Sequence, residues 1–166
     1  AMTRSFAFLR VIPNTHGAWG AAGEAVAADL RIPLGDLPRV FRNSAESFAP
    51  RGAFLQADPA ARQAWRKRLD ALGPSLKIGI SWRGGNTPRT RQARSLPLSA
   101  LDPMFTRPGL RLISLQYGDC EQELATAPAA IRSGLTRFAE VAPLGDLESM
   151  FALMAELDLV ISVDNS

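Results

Sequence analysis

The fold of this chain is decided by residues 77–85, KIGISWRGG. Apolar and β-branched side chains alternate with small ones along this segment, and Gly84 and Gly85 end it, which predicts a buried strand followed by a turn. Ligands of open α/β sheets bind at the carboxyl ends of the strands, and paired glycines let backbone amides approach a phosphate. Arg89, Arg91 and Arg94 follow the turn. The segment therefore predicts a site for a phosphorylated ligand, with a mobile, solvated loop over 83–94 as the alternative.

The composition predicts a globular protein inside the cell. The chain has 166 residues, of which 46% are hydrophobic, enough for a core. It lacks an apolar run of about 18 residues and a basic-then-apolar leader, so we expect a cytoplasmic protein without a transmembrane segment. Cys120 and His16 are the only residues of their types, which excludes an internal disulfide and leaves no metal site of several thiolates or histidines. His16 is thus the only histidine that could act as a catalytic base.

The basic residues are almost all arginines, since Lys67 and Lys77 are the only lysines among nineteen basic residues. Arginine suits bidentate contacts with phosphate and carboxylate groups, although genomic composition explains the scattered arginines equally well. Acidic and basic residues are interspersed outside 83–94, and no ladder of aromatic residues accompanies the arginines. We therefore expect no nucleic acid partner.

Residues 1–57 predict an N-terminal segment and linker. The apolar run at 6–12 predicts a strand, and Ala-rich sequence after a glycine turn predicts a helix up to about Leu30. Thr15, His16 and Gly17 belong either to a second ligand-facing loop or to the entry of a connector helix. Prolines and glycines interrupt 32–56, which predicts an extended linker that packs through its apolar side chains. Those side chains are Leu34, Leu37, Val40, Phe41, Phe48, Phe54 and Leu55.

Residues 58–166 predict a domain in which strands and helices alternate, as in a parallel, doubly wound sheet. Asp58 and Pro59 begin a helix that Gly73 and Pro74 end, and its basic residues are expected on the solvated side. The predicted strands are 77–82, 111–116, a weak 135–141 and 157–163, and the other predicted helices are 98–105, 119–127 and one that begins at 145–146.

Two strand ends are expected to meet. In the common strand order 3-2-1-4, the strands at 77–82 and 157–163 are neighbours, about 5 Å apart. That order brings 83–85 beside 164–166, so that amides, arginines and the Asp164 carboxylate surround one crevice. A fourth strand followed by nothing would leave an exposed edge, so we expect this sequence to be a fragment that holds half of a doubly wound sheet.

Four segments in this order resemble one family of enzymes. They are IGISWRGG at 78–85 with RSLPL at 94–98, ISLQYGDCEQEL at 113–124, LDLVISVDNS at 157–166, and IPLGDLPRVFR at 32–42 with the helix at 58. They are similar to the carboxyl-terminal half of glycosyltransferase-B enzymes, especially bacterial tetratricopeptide-linked glycosyltransferases related to the O-linked N-acetylglucosamine transferases, and lipopolysaccharide heptosyltransferases. The resemblance covers about residues 25–166.

The resemblance implies two Rossmann-like domains around a cleft, with a nucleotide-diphosphate sugar as the donor and no metal or other cofactor. The acceptor would be a protein or a glycan or lipid, and tetratricopeptide repeats would precede this part in the parent chain. Residues 1–57 would then include a remnant of the first domain. The residues implied to bind the nucleotide sugar are Arg83, Gly84, Gly85, Arg94, Ser95, Gln116, Gly118, Glu123, Asp164, Asn165 and Ser166.

Roles follow from the matched motifs. Gly84 and Gly85 would let the turn approach the diphosphate, Arg94 would bind it, and Glu123 would hold ribose hydroxyls, with Glu121 as a competitor for that role. The family histidine would lie beyond Ser166, and the first domain, which supplies the general base in heptosyltransferases, would be absent or reduced to residues 1–30. We therefore expect this part alone to be inactive. A non-catalytic module that binds a nucleotide, glycan or protein is the alternative function.

Overall fold

A computed structural model of the protein describes residues 1–10, 29–48, 53–85, 87–141 and 146–164. It contains two compact units, Ala1–Gln56 and Ala57–Ser166. No helix within the described ranges is both long enough and apolar enough to cross a lipid bilayer.

The described part of the first unit contains short helical pieces. Helix α1 spans Met2–Ser5 and helix α2 spans Leu37–Phe41. Three-residue 3₁₀ turns cover Leu34–Asp36 and Ala45–Ser47.

The prediction of a strand at 6–12 is wrong for residues 6–10, the part that the structure describes. The amides of Phe6 and Leu9 donate to the carbonyls of Met2 and Phe6, so local turns replace a strand ladder. Positions 11–12 and the predicted helix up to residue 28 lie outside the described residues.

The linker does not pack as predicted. Five of the seven apolar side chains expected to be buried are exposed, and the other two, Leu37 and Leu55, are half-buried. Each helical piece has five residues or fewer, and none of them contains a buried residue. One short turn offers too narrow an apolar stripe to form a core. The exposed members are Leu34, Val40, Phe41, Phe48 and Phe54.

The second unit contains a parallel sheet. Its described strands are β1, Leu76–Ser81, β2, Leu110–Ser114, and β3, Leu159–Ser162, in the spatial order β2-β1-β3. Both pairs are parallel, with Ile80 opposite Ser114 on one side and Ile161 on the other. Runs of Ile, Leu and Val explain these strands, because β-branched side chains suit a pleated, buried surface.

The third predicted strand is much shorter than expected, but its position is correct. Thr136 forms a single parallel bridge with Ile113, in which its amide donates to Leu112 O at 2.9 Å and its carbonyl accepts from Ser114 N at 2.9 Å. A 3₁₀ turn at Ala139–Val141 then ends the extended backbone. The four segments therefore lie in the predicted spatial order, which is Thr136, β2, β1 and β3. The outermost predicted strand is reduced to one residue.

Helices lie on both faces of the sheet, and most begin where the sequence indicates. Helix α3, Pro59–Asp70, is capped by Asp58, whose carboxylate accepts from Ala61 N at 2.9 Å. Helix α8, Leu147–Met154, is capped in the same way by Asp146. The predicted helix at 98–105 is a 3₁₀ turn, Leu98–Leu101, followed by α5, Asp102–Phe105.

Two of the helices were not predicted. The segment after β2 forms α6, Glu121–Thr126, and then α7, Ala129–Gly134. Helix α7 was not predicted, because a proline such as Pro128 ends many helices, although a proline also begins helices well. Helix α4, Pro88–Ala93, lies in the segment expected to be a loop.

The core has two layers, one on each face of the sheet. One includes Ile78, Ile80 and Trp82 with residues of the 98–105 and 120–135 segments, and the other includes Trp65, Leu69, Ile113 and Leu153. Gly79 faces the second layer, where a Cβ would lie only 2.5 Å from Leu157 Cδ1. The α/β fold with a parallel sheet is thus confirmed.

The basic side chains of α3 do more than face solvent. Glu156, whose side chain is buried, accepts from Arg62 Nε at 2.6 Å and from Arg66 Nε at 2.7 Å. The hydrogen bond from Arg66 is the largest cause that lowers the pKa of Glu156 below its ordinary value, and the hydrogen bond from Arg62 lowers it further. The pairs therefore hold α3 against the segment that leads into β3.

Candidate functional site

The ends of β1 and β3 meet at one mouth, as the strand order predicts. Val163 N donates to Ser81 O at 3.1 Å just beyond the ladder. A Cβ built on Gly84 would lie 2.2 Å from the carbonyl oxygen of Asp164, so no side chain fits there. The contact between the two strand ends therefore requires a glycine at position 84, whether or not a ligand binds.

The two glycine amides differ in their availability. Gly84 N donates to Arg94 O at 3.2 Å and to Ser95 Oγ at 3.3 Å. Gly85 N donates to none of the residues that the structure describes, and Gly85 has a φ of +81°. A Cβ on Gly85 would lie 2.6 Å from the carbonyl carbon of Thr90, so this glycine lets the turn pack against α4. Of the pair, Gly85 is the one whose amide has no acceptor among the described residues.

The arginine-rich segment contains a short, exposed helix, which the sequence analysis did not predict. Thr87 and Thr90 form a capping box, in which Thr90 N donates to Thr87 Oγ1 and Thr87 N donates to Thr90 Oγ1. Pro88 occupies the first turn of α4. The segment TPRT at 87–90 contains these signals, an N-cap threonine followed by a proline, beside the arginines.

The chain returns from α4 to the end of β1. Ser95 forms an antiparallel bridge with Arg83, and Leu96 N donates to Trp82 O at 2.8 Å. Arg94 is thereby fixed at the mouth, where its Nε lies 3.2 Å from Asp164 Oδ2. Both side chains of this pair remain solvent-accessible, with 44% and 70% of their surfaces exposed. The structure thus brings Gly84, Arg94, Ser95 and Asp164 together.

Two more arginines of this segment are exposed. Arg89 and Arg91, on α4, form no ion pair with any residue in the described ranges. Their charges are therefore uncompensated by the described protein, and Arg91 lines the cleft described below. An anionic ligand would find the local field favourable.

Arg83 is held within the protein. Its guanidinium donates to Glu123 Oε1 at 2.8 Å and to Asp119 O at 2.7 Å, and only 12% of its side chain is exposed. Glu123 Oε2 accepts from Trp82 Nε1 at 2.9 Å. The two residues were predicted to contact a nucleotide sugar, yet in this structure each binds the other. A carboxylate oxygen can accept more than one hydrogen bond, so Glu123 keeps capacity for a hydroxyl.

Gln116 is buried under the end of β1. Its oxygen accepts from Trp82 N at 3.1 Å and from Arg83 N at 2.9 Å, and its nitrogen donates to Arg83 O and Tyr117 O, both at 3.2 Å. The next turn contains Gly118, with a φ of +74°. Gln116 is only 4% exposed, so its polar atoms serve the protein.

A cleft of about 650 Å³ opens between α4 and α6. Its polar lining includes Arg83, Arg91, Ser95 and Glu123. Its walls are largely apolar, formed by Trp82, Leu96, Pro97, Leu98, Ala127 and Pro128. A cleft of this size and composition suits a small organic ligand.

A second cavity, of about 530 Å³, lies beyond the end of β2. Gln116, Gly118 and Cys120 line it together with the ion pair of Glu121 and Arg137. The hydrogen bond from Arg137 lowers the pKa of Glu121, whereas burial raises the pKa of the Cys120 thiol. Glu121 is therefore a charged partner of Arg137, which weakens its competition with Glu123 for a ribose hydroxyl.

Some predicted residues cannot be placed. His16, Asn165 and Ser166, together with Thr15 and Gly17, lie outside the described residues. Within the described residues, no three His, Cys, Asp or Glu side chains are grouped so that they could hold a metal ion.

Comparisons with known proteins give one relative in sequence and one similar structure. No family model matches the chain. Protein FlbA of Caulobacter vibrioides is 35% identical over 138 residues, which are 83% of this chain and 23% of that protein. The structure of the E. coli ADP-heptose lps heptosyltransferase II has a TM-score of 0.48 and 13% identity, over 75% of this chain and 38% of that one. The chain thus spans less than half the length of either protein.

Proposed function

We propose that this chain is the donor-binding part of a glycosyltransferase that takes a nucleotide-diphosphate sugar beside the arginine segment, at the mouth where the ends of β1 and β3 meet. One observation supports the proposal above the others, the meeting of a glycine-ended and an aspartate-ended strand beside exposed arginines. In parallel sheets, this is the position where phosphorylated ligands bind.

The diphosphate would bind at Gly85 and the arginines. The Gly85 amide donates to no described residue, and the exposed Arg94 and Arg91, with Arg89 on the same helix as Arg91, supply cationic donors in the segment that follows it. Each charge-assisted hydrogen bond of this kind contributes about 1.5–3 kcal/mol. Arg94 would exchange Asp164 for a phosphate oxygen, which is a modest cost because their exposed ion pair contributes about 0–1 kcal/mol.

The nucleoside would lie in the cleft of about 650 Å³. Its apolar walls, including Pro97, Leu98 and Pro128, suit the face of a base or sugar ring, and Glu123 suits a ribose hydroxyl. Arg83 and Trp82 hold that carboxylate in one orientation before the ligand arrives. Arg83 would therefore act through Glu123 rather than touch the ligand.

The reaction would transfer the sugar to a protein, glycan or lipid acceptor. As the bond to the sugar breaks, negative charge develops on the leaving diphosphate, and fixed amides and arginines stabilise it. That chemistry needs no metal ion. The general base and the acceptor site would come from a longer protein, in which tetratricopeptide repeats are one expected element.

Calorimetric titration of the full chain with UDP, ADP, GDP, CDP and dTDP tests the proposal. Saturable binding of at least one of them, weakened by inorganic pyrophosphate, is expected. Absence of binding by all five would contradict the proposal. If one binds but a longer protein containing this chain neither hydrolyses nor transfers the matching sugar nucleotides, the protein is a non-catalytic binding module instead.

A further inference from the structure

The backbone ladder between β1 and β2 ends before the glycine turn begins. The last backbone hydrogen bond between them runs from Leu115 N to Ile80 O, at 2.8 Å. Trp82 and Arg83 then continue toward Gly84 with amides that need other acceptors, since buried backbone donors are almost always paired. The carboxamide of Gln116 meets this need.

We infer that Gln116 is a positioning residue that sets the geometry of the turn at 83–85 for the diphosphate. Its oxygen accepts from the amides of Trp82 and Arg83, and also from Ser81 Oγ at 3.3 Å. Its nitrogen donates to the carbonyls of Arg83 and Tyr117. The inference deepens the proposed function and rests on it.

The partners fix the orientation of the carboxamide. Two backbone N–H groups lie on one side and two carbonyl groups lie on the other, so only an oxygen fits the first side and only an NH₂ group fits the second. Gln116 thus imitates a short piece of strand and joins the turn after β1 to the turn after β2. A glutamate would satisfy only the first side, and a methionine neither.

The location of these hydrogen bonds distinguishes a role of Gln116 in positioning the turn from a general role in core packing. They involve 81–83 and Tyr117, which lead directly into Gly84 and Gly118. Because Gly84 N also donates to Arg94 O, a rotation of Arg83 would move the turn relative to Arg94. Loss of the clamp should therefore weaken nucleotide binding even where the fold persists.

The test compares Gln116→Met and Gln116→Glu with wild type and with Gln122→Glu in the full chain. Gln122 is exposed on α6, so its change adds the same charge outside the clamp. Calorimetry gives the Kd of the nucleoside diphosphate that wild type binds best, and NMR hydrogen exchange follows the amides of Trp82 and Arg83. Thermal unfolding shows that each variant is folded at the temperature of the titration.

We expect Gln116→Met to unfold cooperatively, to bind at least tenfold more weakly, and to exchange these two amides faster. Gln116→Glu, which keeps the acceptor, should leave their exchange near that of wild type and still bind more weakly, whereas Gln122→Glu should bind within about twofold of wild type. Folded Gln116 variants with wild-type Kd would overturn the inference, and so would failure of both to fold, which would make Gln116 a general determinant of stability. If wild type itself binds no nucleoside diphosphate, it is the proposed function that fails.

Discussion

Arg83 and Arg94 lie on either side of the same mouth and are used differently. Arg83 is 12% exposed and is held by Glu123 and by a backbone carbonyl, whereas Arg94 is 44% exposed and meets only the exposed carboxylate of Asp164 among charged groups of the described chain. The first belongs to a fixed side, formed by 81–85 and 116–123, and the second to an open side, formed by 87–94. A site needs both, because fixed groups keep the geometry and open charges exchange partners when a ligand arrives.

The largest effect is expected where the ends of β1 and β3 touch. Gly84→Ala would place a Cβ 2.2 Å from Asp164 O, so the strand ends must separate. We expect the free energy of unfolding to fall by about 1–3 kcal/mol and nucleotide binding to be lost. Gly35→Ala is the control, since a Cβ there has no neighbour within 4 Å. Denaturant unfolding and calorimetry would measure both, and a Gly84→Ala protein as stable as wild type would break the account of the contact.

The open side should affect binding without affecting stability. Arg94→Ala removes an exposed ion pair, which contributes about 0–1 kcal/mol to folding, but it should weaken nucleoside diphosphate binding by about 1–3 kcal/mol. Arg107→Ala removes the same charge from an exposed position before β2, at the opposite end of the sheet, and should leave Kd unchanged. Equal losses in the two variants would mean that net charge, rather than the mouth, attracts the ligand.

The fixed side should show the reverse balance. Arg83→Met removes the partner of Glu123 and the donor to Asp119 O, so we expect about 1–2 kcal/mol of lost stability. Binding should weaken as well, because Glu123 loses one of the two groups that orient it. Thermal unfolding alongside calorimetry separates the two effects. Were Arg83→Met to lose affinity at wild-type stability, Arg83 would be a direct ligand contact after all.

The smallest effect concerns pH and lies away from the mouth. Arg66 and Arg62 lower the pKa of Glu156, so this carboxylate stabilises the folded chain above its unfolded pKa, near 4.5, and that stability is lost as the pH falls through the lower folded pKa. Glu156→Gln should therefore be less stable than wild type at pH 7, and the difference should shrink below about pH 4. Unfolding curves at pH 7, 5 and 3 would test this. A difference that is constant with pH would exclude the ion pairs as its cause.

The sequence predicted the meeting of the strand ends better than it predicted the side-chain pairs around them. The meeting of 83–85 with Asp164 follows from the parallel strand order, which hydrophobic runs and connection lengths already indicate. The pairing of Arg83 with Glu123 joins residues 40 positions apart, and no local pattern tells which of several acidic residues an arginine will meet. For the same reason, the hydrogen bonds of the Gln116 carboxamide to Trp82 and Arg83 were not predicted.

Errors in the fold have similar physical causes. The strand predicted at 135–141 shrinks to Thr136 because Phe138 packs edge-on against Trp65 of α3, and the backbone turns at 139–141. Helix α4 was missed although its capping box is visible in the sequence, since basic and polar composition outweighed the local signal. The burial of the apolar side chains of 32–56 could not be predicted from sequence, because hydrophobicity alone does not show whether a side chain is buried.

The central claim is that the Gly85 amide and the arginine segment form the diphosphate site. The most direct measurement is residue-resolved hydrogen exchange by NMR, with and without a saturating nucleoside diphosphate. We expect slower exchange at Gly85 and changes along 87–94, while the amides already bound to Gln116 change little. Binding that leaves Gly85 and this segment unaffected, and instead protects residues at the amino ends of the strands, would contradict it.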